Sequence, residues 1–394
     1  MERVYLDYAA ATPIDKRVAS VMQKWTKSAW ANASSLHKEG EAAKDILEQA
    51  RIDISRILHC KKSEVIFTSG GTESANLTIL GIVEAIKKKW KKKKKEILPH
   101  VVTSTIEHPA VLEPIKNLLK KGEIEASFVF PNKEGIINPQ SITRELKENT
   151  ILVCIMHSNN EIGTIQPIRK IKKAIGPRPF LLVDASQSVC FEDVSTERLG
   201  ADILILDGVK MYGPRGAGIL VVKSGTEIAP VLFGGGQENG LRSGTENVIS
   251  ATGLAKALKI CEQTREKESA RLKKLRDYAI KKILATFPNA SLNGSLENRL
   301  PNNINICFGS KSQGVTLGPG SSKVTPWDSE FAIIKLDTLG FAVSAASACH
   351  NLSLENSSYV IEALGKPECA SSSLRFTLGR ATKKSDLDKL IKVL

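Results

Sequence analysis

The 394-residue chain contains no C-x-x-C pair. Its seven cysteines stand at 60, 154, 190, 261, 307, 349 and 369. An odd number without paired spacing argues against a zinc site and against a disulfide framework. Cys154 in ILVCIM and Cys307 in INICF read as small core residues. No apolar run reaches the ~18 residues that a bilayer-spanning helix needs. The opening Met-Glu-Arg-Val-Tyr is not a basic segment followed by an apolar one, so no signal peptide is expected and the cytoplasm is the expected location. No internal repeat is visible, and no motif for nucleic-acid recognition.

What is present is a long chain with 42% apolar and 25% charged residues, ordinary for a soluble globular protein. The length suffices for a large core and a second, smaller domain. The net charge is +14, and much of it comes from Lys87–Lys95, eight lysines around Trp90. Cations suit a helix C-terminus, so the block reads as the solvated end of a helix; an anionic partner is the other reading.

Along the chain, strands and helices alternate. Strands are expected at 64–68, 101–105, 126–130, 151–156, 180–184, 203–206 and 218–223. Helices are expected at 75–88, 109–120, 139–147 and 167–174. Near-continuous apolar strands in such alternation imply an α/β fold, a mainly parallel seven-stranded sheet with helices on both faces. One or two long helices over 250–287 lead to a smaller α+β domain with strands at 303–308 and 371–376 and a closing helix at 384–394. The Gly/Ser/Pro-rich stretch 309–327 reads as a mobile loop. In open α/β sheets the ligand sits beyond the strand carboxyl ends. Ser69–Thr72, His108, Asn159, Asp184–Gln187 and Asp207–Lys210 all follow strands and should converge there.

Taken singly, each candidate has two readings. Lys210 is a snorkelling lysine or a desolvated amine able to form a Schiff base. Asp184 caps a turn or pairs with a protonated pyridine nitrogen. His108 is a loop histidine or lies flat on an aromatic ring. Arg375 makes a packing ion pair or grips a carboxylate. Gly71 and Thr72 before a helix suit a phosphate. Together these types suit pyridoxal phosphate: a lysine for the aldehyde, an acid for the ring nitrogen and a helix start for the phosphate.

The chain also resembles, essentially end to end, the cysteine desulfurases of the class V aminotransferase group, with pyridoxal-phosphate fold type I. The matching blocks include YLDYAAATP at 5–13, EVIFTSGGTESANL at 64–77, TSTIEHPAVL at 103–112, HSNNEIGTIQPI at 157–168 and VDASQSV at 183–189. KMYGPRGAG at 210–218, GGGQENGLRSGTENV at 234–248, SAASAC at 344–349 and SSLRFTLGR at 372–380 follow in the same order. The resemblance implies that residues 14–260 form the large cofactor-binding domain. Residues 1–13 and 261–394 then form the small domain that carries the catalytic cysteine loop.

It implies these roles. Lys210 holds the cofactor and moves protons, Asp184 pairs with the ring nitrogen, Gln187 bonds the 3-hydroxyl and His108 stacks on the ring. Gly71 and Thr72 hold the phosphate. Thr245 reaches the phosphate of a neighbouring subunit, which implies a homodimer. Asn159 and Arg375 orient the carboxylate of L-cysteine. Cys349 takes the sulfur as a persulfide while alanine forms, and passes it to an acceptor protein for iron–sulfur clusters or tRNA thiolation. No metal, membrane or nucleic-acid partner is expected. A selenocysteine lyase, an aminotransferase of the same fold and a non-catalytic scaffold are the alternatives. Two departures stand out. Ala33 replaces a usual proline, and Asp207-Gly208-Val209 stands where the family has Ser-Gly-His. An ionised Asp207 beside a phosphate would repel it, unless it turns away or a proton or cation intervenes.

Overall fold

The computed structural model describes residues 3–94, 96–309, 315–316, 323–324, 328–345 and 357–394. Cys349 and most of the 309–327 stretch lie outside the described residues. The N-terminal arm contributes a two-residue strand, β1 (Val4–Tyr5). The apolar runs then appear as β2 (Val65–Thr68), β3 (His100–Ser104), β4 (Glu125–Val129), β5 (Thr150–Met156), β6 (Phe180–Asp184), β7 (Ile203–Asp207) and β8 (Gly218–Val222). They form one sheet in the order β2-β8-β7-β6-β5-β3-β4. Only β8 is reversed, antiparallel to both β7 and β2. The ends of β2, β5, β6 and β7 therefore open on the same edge.

Side-chain alternation explains why these strands read as continuous apolar runs. Leu204 and Leu206 face one core with Val183, Ile155 and Val221. Ile203 and Ile205 face the other with Leu182, Leu152 and Leu220. The helices that follow in chain order are α1 (Lys16–Thr26), α2 (Lys38–Ile57), α3 (Gly71–Lys92), α4 (Pro109–Lys120), α5 (Pro139–Arg144), α6 (Ile168–Ile175), α7 (Thr196–Leu199) and α8 (Val248–Thr286). α3 and α4 cover the second core, through Ile79, Ile82 and Ile86, and through Val111, Ile115 and Leu118. α2, α6 and the first part of α8 cover the other.

Three details depart from the sequence reading. α3 starts at Gly71, not Ala75, so Gly71 and Thr72 belong to its first turn. Gly70 precedes it at φ 150°, a conformation that favours glycine. α8 is one unbroken helix of 39 residues, and the division expected near 260 falls inside it. Its Ala251, Leu254 and Leu258 pack on the first sheet, whereas Leu272, Ala279 and Ile283 pack in a separate cluster. Cys307, read as a free core residue, is disulfide-bonded to Cys369, 62 positions away, with Cα atoms 5.4 Å apart.

That pairing follows from the second sheet. It contains β9 (Ser291–Leu292) and β10 (Asn303–Cys307); a separate antiparallel pair is β11 (Val315–Thr316) with β12 (Lys323–Val324). β13 (Phe341–Ala342) lies parallel to β1, and β14 (Ser344–Ala345) and β15 (Ser373–Thr377) complete the four-stranded order β14-β15-β10-β9. Antiparallel register sets Cys307 opposite Ser373, within reach of Cys369 just before β15. Helices α9 (Ser329–Thr338), α10 (Tyr359–Ala363) and α11 (Lys384–Val393) accompany this sheet.

α3 ends within the lysine block, and Lys87, Lys88 and Lys89 pair with Glu123, Glu84 and Glu227 at 2.9, 3.0 and 2.7 Å. Among the described residues no helix is long and apolar enough to cross a membrane.

One buried ion pair ties α2 to the edge of the first sheet. Both terminal nitrogens of Arg51 donate to Glu238 at 2.9 Å, and Glu238 also accepts the Phe67 N–H at 2.9 Å. Removing one partner strands a buried charge, a loss of about 3–5 kcal/mol. Arg51→Ala is expected to lose that amount in denaturant unfolding. Arg56→Ala, on an exposed side chain of the same helix, is expected to lose nothing measurable.

Candidate active site

The ends of β5, β6 and β7 and the first turn of α3 surround a pocket closed from the other side by the N-terminal arm and Arg375. Lys210 stands in a single 3-10 turn, Gly208–Lys210, directly after β7. Its Nζ donates to the Ala9 and Ala10 carbonyls at 2.9 and 2.6 Å. The arm is itself fixed to this turn. Thr12 donates from N and Oγ1 to the Val209 carbonyl at 2.9 and 2.7 Å, and the Tyr212 N–H donates to Thr12 Oγ1 at 2.8 Å.

Gly71, Thr72, His108, Asp184, Gln187 and Arg375 line the same pocket as Lys210. Asp184 Oδ1 accepts the Ser186 N–H at 3.0 Å, so this carboxylate both caps a turn and faces the pocket. Gln187 Nε2 donates to the Ala9 carbonyl at 2.9 Å. His108 is the N-cap of α4, where its Nδ1 accepts the Ala110 N–H at 3.1 Å. That bond assigns the ring proton of the neutral tautomer to Nε2. Arg375 reaches across from β15. One terminal nitrogen donates to Asp7 Oδ1 and the other to the Asn160 carbonyl, both at 2.9 Å.

Asn159 is not brought to the pocket, which corrects its expected placement. Its Oδ1 accepts the Glu161 and Ile162 N–H groups at 2.9 and 3.0 Å, and its Nδ2 donates to the Ile106 carbonyl at 2.9 Å. Fully buried, it braces the turn after β5, and its neighbour Asn160 lines the pocket instead. Thr245 is exposed and away from this chain's own pocket. Asp207 does not turn away from α3: its Oδ2 accepts the Gly71 N–H at 3.1 Å.

Three residues went unnoticed in the sequence, Asn160, Glu107 and Glu161. Ser186 Oγ and Asn160 Oδ1 are buried without a hydrogen-bond partner, as is Arg375 Nε. Buried polar atoms are nearly always paired, so such atoms around one pocket point to a small polar ligand. Glu107 is fully buried, and burial pushes its carboxyl up to about 8, with the negative charge of Asp184 adding to the effect. Burial likewise raises Glu161 to about 7, opposed by its bond from Ser358 and the nearby charge of Arg375. The available signal was their position, an acid directly before His108 and another directly after Asn160.

The family model for class-V aminotransferases matches residues 4–390. The chain belongs to this family. A curated relative, "Cysteine desulfurase IscS" of Dictyoglomus turgidum, is 40% identical over 99% of this chain and 93% of its own length. Among solved structures, a "NIFS-like protein" superposes with a TM-score of 0.85 at 28% identity, covering 99% of this chain and 97% of that one. Another, titled "SspA in complex with cysteine", gives 0.76 at 31% identity, covering 95% and 98%. The class-V family depends on pyridoxal phosphate. An amine, a carboxylate, a helix start and three orphaned polar atoms in one pocket fit that cofactor.

The raised carboxyl of Glu107 has a stability consequence. Folding takes up a proton there at any pH between about 4.5 and about 8. This contribution is complete below the lower value and is lost as pH rises through the upper one. Glu107→Gln keeps the group neutral at every pH. The fall in thermal midpoint on raising pH through that window is expected to be smaller in the variant than in the parent.

Proposed function

We propose that the protein is a pyridoxal-phosphate-dependent cysteine desulfurase that converts L-cysteine to L-alanine and retains the sulfur as a persulfide on Cys349. The observation that carries the reading is the meeting of Lys210, Asp184 and Arg375 in one pocket, each from a different element. A relative named for this activity and a related structure titled as a complex with cysteine support it.

The bound cofactor supplies an electron sink that makes the substrate Cα–H acidic. The chain's own residues do the rest. The Lys210 amine would hold the cofactor through its aldehyde and would take up the substrate Cα proton at Nζ. Asp184 would keep the ring nitrogen protonated, and His108 and Gln187 would hold the ring and its hydroxyl. Gly71 and Thr72 would face the phosphate at the start of α3, where the Gly71 N–H already donates to Asp207. Arg375 grips the substrate carboxylate, for which its buried Nε is available. The Cys349 thiolate would attack the substrate sulfur, so that the new S–S bond forms as the substrate Cβ–S bond breaks and its electron pair, with a proton, stays on the three-carbon product that leaves as alanine.

The reading includes a homodimer in which Thr245 serves the partner's pocket. Two features support it. Thr245 follows Arg242, which is held to α3 by a 2.8 Å bond to Glu73. Just upstream, Phe233 is 80% exposed and Leu232 47%. Apolar surface of this kind is suited to burial against a second copy. A cytoplasmic location and a sulfur-acceptor protein, for iron–sulfur clusters or tRNA thiolation, complete the proposal.

The test is product analysis on the loaded protein. Alanine and, with a reductant, sulfide are expected from L-cysteine. Lys210→Ala is expected to lower the rate at least by about 10²–10⁴-fold, the usual worth of a positioned acid–base group. Cys349→Ala should keep the visible band of a lysine-bound pyridoxal group and lose sulfide release. Sulfide release undiminished in Cys349→Ala contradicts the assignment. Amino-group transfer to a keto acid without sulfide marks an aminotransferase instead.

A further inference from the structure

The phosphate end of the pocket is where this chain departs from the family pattern, and an anion already sits there. Asp207 ends β7, and both its oxygens are bound by backbone. Oδ1 accepts the Val209 N–H at 3.0 Å and Oδ2 the Gly71 N–H at 3.1 Å. Gly71 opens α3, a helix of 22 residues, so Oδ2 occupies one of its unpaired N–H groups at the positive end of the dipole. A Cβ at Gly70 or Gly71 would stand 3.4 Å from Oδ2, so the carboxylate lies directly against the glycine turn. Beside it is a donor still without a partner: Ser186 Oγ is buried, its residue 7% exposed, and lies 3.7 Å from the Cβ position of Gly71.

We propose that Asp207 is a resident anion at the cofactor's phosphate site, and that this chain binds the phosphate together with a proton held between the two groups. A phosphate monoester carries about −1.5 to −2 charges at neutral pH, with a second pKa near 6. Two anions sharing one site cannot both stay fully ionised. Asp207 has little room to withdraw, because it is anchored at the strand end and caps its own 3-10 turn.

The surrounding charges do not change this sign. Lys210, on the same turn, donates to the Ala9 and Ala10 carbonyls. From α3, Glu73 adds negative charge and is held by Arg242 and the Ser69 N–H. From β6, Asp184 adds another carboxylate, and His108 of α4 lines the far side. Arg375 of β15 is paired with Asp7. Gly218 of β8, opposite Asp207, is uncharged, and α8 presents Leu254 to Gly208. The inference rests on the cofactor reading above and concerns only how its phosphate is held.

The test is the affinity of cofactor-free protein for pyridoxal phosphate across pH, read by absorbance titration, for the wild type, Asp207→Asn and Asp207→Ser. Comparing variants cancels the pH dependence of Lys210 chemistry. The ratio of wild-type to variant Kd is expected to rise with pH above about 6, by up to about tenfold per pH unit, the limit for one linked proton. Pyridoxal, which lacks the phosphate, should bind all three proteins alike. The ³¹P shift of the bound cofactor should titrate at higher pH in the wild type than in either variant. A Kd ratio that is flat with pH in both variants, or an equal effect on pyridoxal, overturns the inference while leaving the cofactor reading intact. A wild type that forms no lysine-bound band at any pH overturns the cofactor reading itself.

Discussion

The N-terminal arm is the constraint on which the pocket depends. An extended segment normally exposes its carbonyls to water, but here Ala9 and Ala10 spend theirs on the Lys210 ammonium and the Gln187 amide. Asp7 neutralises Arg375, whose side chain is only 3% exposed. Leu6 and Thr377 join the same segment to the second sheet, through the Thr377 N–H to the Leu6 carbonyl at 2.7 Å and the Ala9 N–H to Thr377 Oγ1 at 2.9 Å. A few residues thus connect the two sheets and set the distance between the amine after β7 and the guanidinium on β15.

Charge around the pocket is arranged by burial as much as by pairing. Lys210 donates to arm carbonyls and Arg375 pairs with Asp7 of the arm, whereas Glu107 and Glu161 sit behind the lining as acids that burial pushes toward neutrality. A neutral acid can brace its neighbours without adding a further negative charge next to Asp184. Glu161 also accepts from Ser358, the cap of α10, so the turn after β5 is coupled to the segment that leads back to β15. The exception is Asp207, an acid placed against the helix start itself.

Much of this was legible in the chain. Strands covered on both faces must be apolar at every position, so seven runs were visible, and the polar residues just after them marked the pocket edge. What was illegible depended on choices that pattern does not encode. Glycine is a poor helix former, so the start of α3 looked like a loop, although Gly71 and Thr72 are helical. Which of two adjacent asparagines faces the pocket is decided by the turn after β5, where Asn159 is consumed by two backbone N–H groups. The Cys307–Cys369 bond needed the register of β10 on β15, which scattered cysteines do not announce. An acid at position 207 announces a charge conflict at a phosphate site, but not that its carboxylate takes the Gly71 N–H for itself.

The central claim is that the arm and the strand ends present one lysine, Lys210, to the cofactor. Borohydride reduction of the loaded protein followed by peptide mapping tests it directly. The account predicts a pyridoxyl group on Lys210 at close to one per chain, with the exposed lysines of the 87–94 block unlabelled. A label spread over that block, or placed stoichiometrically on another lysine, would contradict it.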